Sequence, residues 1–144
     1  MLYSLKWWQR VIIYAVFGWA IEVFFTGVSS AISGDVKTTG HTYLWMLCVW
    51  GFGSLVFEKA VSFLRHHNIK LFYRIVMYAF GIMTFELIAG VIIQFITGII
   101  PWDYSSSGTS PGGYVRLDYL PFWMICGMLM ETFILFIKKV RIQK

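Results

Sequence analysis

Charge is scarce in this chain. Only 13% of its 144 residues are Asp, Glu, Lys or Arg, about half the share of an ordinary soluble domain. That excludes a soluble globular domain and a disordered tail. Three prolines and 13 glycines exclude a collagen-like fibre or a low-complexity linker. Two cysteines are too few for a disulfide framework. A G-x-x-x-x-G-K-[ST] phosphate loop is missing, so the chain does not hydrolyse ATP alone. What is abundant is apolar surface: 58% of residues are hydrophobic and 19% aromatic. The remaining class is an integral membrane protein.

A helix crossing the hydrocarbon needs about 20 mostly apolar residues. Four stretches qualify, and the expected architecture is an all-α, four-helix membrane bundle forming one domain. The spans run from Val11 to about Ser33, about Thr42 to Leu64, about Ile75 to Ile100, and about Tyr119 to Ile137. A cleaved signal peptide is the rival reading of the first span. Its basic start and Ser29-Ser30-Ala31 favour that; its length and the central Glu22 count against it.

The 12 Lys and Arg residues set the expected direction. Lys6, Arg10, Lys59, Arg65, Lys70, Arg74, Lys138, Lys139, Arg141 and Lys144 fall on one side, and only Lys37 and Arg116 on the other. Basic loops stay cytoplasmic, so both termini are expected inside, with the cell membrane as location. The net charge of +5 is then topological. It calls for no nucleic-acid partner and suits anionic headgroups of the bilayer.

The longest loop, 101–116, is expected outside. Pro101 would stop the third helix. Ser105 to Ser107, Gly108, Pro111, Gly112 and Gly113 would keep the loop flexible. Trp102, Tyr104, Tyr114 and Tyr119 suit the headgroup zone.

Each span carries one carboxylate: Glu22, Glu58, Glu86 and Glu131. At about 1.5 Å per residue, Glu22 and Glu86 fall near the midplane, while Glu58 and Glu131 fall roughly 9 Å from the basic side. A central acid costs roughly 2.5–3.5 kcal/mol to insert, and an apolar residue returns about 0.3–0.6. Such groups normally face the bundle interior and mark a pathway. The helical faces agree: Gly18, Glu22, Thr26 and Ser29 share one, as do Gly51, Ser54, Glu58 and Ser62. Glu86, Gly90, Gln94 and Thr97 share another, and Gly127 and Glu131 the last. Small residues allow close helix approach. Lys59, Arg65, Arg74 and Lys138 can reach the lower tier; nothing basic is placed to reach Glu22 or Glu86. Each Glu is therefore either an ion-handling group or a structural one: a neutral hydrogen-bonding lock or a salt bridge is favoured for the lower pair, and an ion-handling role for Glu22 and Glu86.

A faint repeat runs through the chain. Tyr14-Ala15 precedes Glu22 by eight, as Tyr78-Ala79 precedes Glu86; Tyr43-Leu44 precedes Gly51 by eight, as Tyr119-Leu120 precedes Gly127. The pattern suggests a parallel duplication of a two-helix hairpin, with halves near 11–64 and 75–137.

Several residues also carry a family resemblance. Gly18-Trp19-Ala20-Ile21-Glu22 resembles the Gly-Trp-x-x-Glu start of the CmpB-like permeases of ABC-transporter type IV. Tyr43-Leu44-Trp45, Trp50-Gly51, Glu86 with Gly90, Trp102-Asp103-Tyr104-Ser105, and Arg116-Leu117-Asp118-Tyr119-Leu120-Pro121-Phe122-Trp123 with Gly127 and Glu131 follow in order. The transmembrane protein 229 group looks similar in the same places. The resemblance implies a multi-spanning transporter permease. Without its own ATPase, such a chain needs homo-oligomers or partner membrane chains.

The candidate substrate or ion-binding residues are therefore Glu22, Glu86, Glu131, Glu58 and Trp19, with Trp102, Asp103, Tyr104 and Ser105 at an outer mouth. Asp103 reads equally as a turn-former. His41 is outside and His66 and His67 inside, with no zinc or haem spacing, so the metal is unassigned and no cofactor is expected. Cys48 and Cys126 read as small buried hydrophobes. The leading function is a permease-like subunit with an intramembrane acidic site for a proton or cation. The alternatives are a non-catalytic scaffold or regulatory subunit, and an intramembrane lipid-modifying enzyme. No nucleophile constellation backs the enzyme reading.

Overall fold

The computed structural model describes residues 2–143; Lys144 and the side chain of Arg141, two of the expected tail cations, lie outside the described residues. Four helices carry the fold: α1 (Trp7–Ile32), α2 (Trp45–His66), α3 (Leu71–Thr97) and α4 (Leu120–Lys139). All four are long and apolar enough to cross a membrane. One feature has no sequence signal: β1 (Leu2–Ser4) pairs antiparallel with β2 (Arg141–Gln143).

The helix ends differ from the expected ones for local reasons. α1 starts four residues early, because the Lys6 backbone N–H donates to Gln9 Oε1 at 2.8 Å and caps the first turn. α3 also starts early. Asn68 turns the chain with φ +54°, and Asn tolerates that region. α3 ends at Thr97, before Pro101 can act. Gly98 adopts φ +74°, and its N–H donates to the Gln94 carbonyl at 2.7 Å, a glycine C-cap. Gly98→Ala is expected to cost about 1 kcal/mol, measured by thermal unfolding in detergent. A single turn at Leu117–Tyr119 leads into α4, which carries Pro121 in its first turn, where its missing N–H is harmless.

The chain divides into two compact units, 5–55 and 56–144 with 1–4. The boundary falls inside α2, not in the turn between the two expected repeat halves. In the first unit, Gly51 of α2 packs on Val11 and Ala15 of α1. In the second, Gly127 of α4 packs on Tyr78 of α3. Tyr14 and Tyr78 are the two largest fully buried side chains. The residues matched by the repeat thus do matching jobs: in each unit a glycine lets the later helix close on the Tyr-Ala turn of the earlier one.

The second unit holds the better-buried core, with Trp123, Cys126, Met130, Ile134 and Ile137 of α4 facing inward. Cys126 is buried as expected, but Cys48 is exposed, and neither forms a disulfide.

Candidate functional site

In the first unit, the link between α1 and α2 is not a simple outer turn. Asp35 anchors its start: its carboxylate accepts from the Ser30 hydroxyl at 2.7 Å and from the backbone N–H groups of Lys37 and Thr39. The Ser30 and Thr39 side chains, with those backbone donors, hold its carboxyl well below the usual range. Thr38 then takes φ +50°, a costly region for a β-branched residue. From there the chain runs back along α1 without helical structure. Gly27 lets the Thr38 carbonyl and Gly40 approach. The Thr26 hydroxyl donates to the His41 carbonyl and accepts from the His41 N–H, both at 2.8 Å. Gly40 lies against the Val23 backbone. The Trp19 indole N–H donates to the Tyr43 carbonyl at 3.3 Å. The contacts follow α1 from Gly27 back to Trp19, about 12 Å of helix axis. α2 therefore begins at Trp45, three residues later than expected.

This return segment delivers polar groups to Glu22. The Trp50 indole N–H donates to Glu22 Oε2 at 3.1 Å. The Thr42 hydroxyl and His41 lie within electrostatic reach of the same carboxylate. The segment that carries His41 folds back along α1, and His41 itself stays exposed. Gly18 makes room for the Trp50 ring, so Gly18, Trp19 and Glu22 of the Gly-Trp-x-x-Glu stretch each meet the segment or the start of α2.

In the second unit the lower-tier carboxylates are ion-paired. Glu131, with only 5% of its side chain exposed, accepts from Arg65 Nη1 at 2.8 Å and from Arg74 Nη2 at 2.9 Å. Arg74 Nε adds a contact at 3.2 Å, and its Nη1 donates to the Ile69 carbonyl at 2.7 Å. Tyr78 stands beside the same carboxylate. One carboxylate thus ties the ends of α2 and α3 to α4. Glu58 lies 3.5 Å from Lys138 Nζ, which also donates to Ser62 Oγ at 2.7 Å. Three of the four cations expected at this tier arrive there; Lys59 is exposed. Glu86 is buried in mid-α3, on the face that also buries Gly90.

The Trp-Asp-Tyr-Ser stretch builds a folded cap. Trp102 is 4% exposed, lying against Gly90. Its indole N–H donates to the Tyr114 carbonyl at 2.9 Å, and the Tyr114 hydroxyl donates to Gln94. The Tyr104 N–H donates to the Gly113 carbonyl at 2.9 Å, closing the loop. Asp103 accepts from the Ser105 N–H at 2.8 Å. Bonds from Ser105 hold its carboxyl below the usual range. Ser105 itself is exposed. Asp118 pairs with Arg116, whose guanidinium also lies 4.1 Å over the Tyr119 ring. Each acid of the link between α3 and α4 is thus engaged by its sequence neighbours. No group of three or more His, Cys, Asp or Glu side chains stands together among the described residues.

These features define an integral membrane protein with four candidate spans, polar groups inside them and a folded loop cap. The chain belongs to the family described as Putative ABC-transporter type IV, whose profile matches residues 10–143. No solved structure matches the chain.

The sequence reading missed the return segment, and with it Thr42 as a neighbour of Glu22, and it missed the hydrogen bond from Trp50 of α2. The available signal was the pair Gly27 and Gly40, placed to let two backbones touch.

Proposed function

We propose that the chain is a permease-like membrane subunit, with both ends cytoplasmic, in which Glu22 binds a proton or small cation in transit. One observation carries this: a mid-helix carboxylate held by a neutral indole donor beside a stretch of non-helical backbone. Glu131, by contrast, is ion-paired with Arg74 and Arg65 and is the structural acid. Glu22 lies ten residues before the end of α1, about 15 Å along the axis, which is mid-bilayer depth. Irregular backbone at that depth is tolerated where it is buried in protein or lines a cavity. In transporters, unwound segments at the midplane supply carbonyls to coupling ions. Thr38, with its strained backbone, is the point from which the segment would swing.

Energy for transport would come from an ion gradient or a partner chain, since the chain has no phosphate loop of its own. That argues for function as a homo-oligomer or within a larger membrane assembly.

The test is flux in proteoliposomes carrying an internal pH dye, with Na⁺ and K⁺ gradients applied in turn. Glu22→Gln keeps an acceptor for Trp50 but removes the charge. It is expected to cut flux at least about tenfold, on the scale of losing an intramembrane charge partner. Unchanged flux would reject the assignment.

A further inference from the structure

At the end of the second unit where α2 meets α3, the basic groups outnumber the acids, and both acids are already spent. Glu131 takes Arg74 and one nitrogen of Arg65; Glu58 takes Lys138. Arg74 is the inner partner, 14% exposed, with three nitrogens committed. Arg65 differs. Its side chain is 47% exposed, and among the described residues only its Nη1 is engaged. Because one guanidinium suffices to balance Glu131, the charge of Arg65 is in excess, with Nε and Nη2 still able to donate. Lys70 stands at the start of α3, and Lys59 and Lys139 are exposed on α2 and α4. None of these three lysines has an ion-pair partner among the described residues. Around the same level, Phe63, Phe72 and Tyr73 are exposed to 60% or more. Aromatic rings beside cations mark the boundary between headgroups and acyl chains.

From this we infer that the α2–α3 end is a docking surface for an anionic phospholipid. Its phosphate is held by the spare donors of Arg65 together with Lys70, and its acyl chains lie against Phe63 and Phe72. Charge complementarity selects the occupant. A guanidinium with two parallel donors fits a phosphate diester, and the flanking rings fit a lipid rather than a soluble anion. The inference does not depend on Glu22 or on transport.

The full chain, reconstituted in nanodiscs of equal phosphatidylglycerol and phosphatidylcholine, would be released into detergent and weighed intact with its retained lipid. Wild type is expected to keep phosphatidylglycerol in preference. Arg65→Gln and Lys70→Gln should each lower that preference about fivefold. Lys70→Gln touches no ion pair, so its result stands even if Arg65→Gln weakens the fold. Equal retention of both lipids, retention unchanged in both variants, or displacement of the lipid by excess inorganic phosphate would each overturn the assignment.

Discussion

Glu131→Ala is expected to be the most damaging single substitution in the chain. It leaves the Arg65 and Arg74 guanidiniums facing one another with no anion between them. Arg74 is the more buried of the two, so water cannot easily replace the lost partner. Breaking a buried ion pair from one side costs about 3–5 kcal/mol. For a chain of this size that lowers the unfolding midpoint in detergent by roughly 10 °C. The asymmetry of the cluster supplies the internal check. Arg65→Gln should cost far less, because Arg74 still neutralises the carboxylate. Adding Arg74→Leu to Glu131→Ala should recover part of the loss, since it removes the stranded charge. A Glu131→Ala protein that melts with wild type would show that the cluster contributes nothing.

Gly18→Ala should strike both stability and function. A methyl group at residue 18 collides with the Trp50 ring, which is buried and lies between the two helices of the first unit. Overpacking of this kind costs about 1–3 kcal/mol. Because the ring must move, its N–H also leaves Glu22, so flux should fall together with the melting temperature. Trp50→Phe separates the two effects. It removes the donor together with the smaller ring and introduces no clash, so flux should change more than stability. Equal flux in wild type, Gly18→Ala and Trp50→Phe would mean that the indole does not serve the carboxylate.

Much of this arrangement was legible because membrane proteins write it in coarse letters. Twenty-residue apolar runs and the placement of 12 basic residues give helices and an expected direction with no reference to packing. The Glu131 cluster was also foreseeable. Arg65, Arg74 and Lys138 sit within side-chain reach of the two lower carboxylates along the sequence, and a buried acid seeks a cation. The return segment was not. It has no periodicity, and its partners are backbone atoms. Gly27, Gly40 and the hydroxyl of Thr26 act through close approach, which no hydropathy pattern records. The burial of Trp102 was hidden for a related reason. A tryptophan next to a proline at the end of a span reads as an exposed anchor, and only the space above Gly90 shows that it packs against the protein. Cys48 was a simpler miss, a small residue on the exposed side of its helix.

The cation pair around Glu131 also bears on how the chain is made. Synthesis runs from the N-terminal end, so Arg65 and Arg74 reach the bilayer while α4 is still on the ribosome. α4 by itself carries an acid whose insertion is costly. When it leaves the translocon, its counter-charges are already waiting on the preceding hairpin, and lateral release becomes a docking step rather than a solitary crossing.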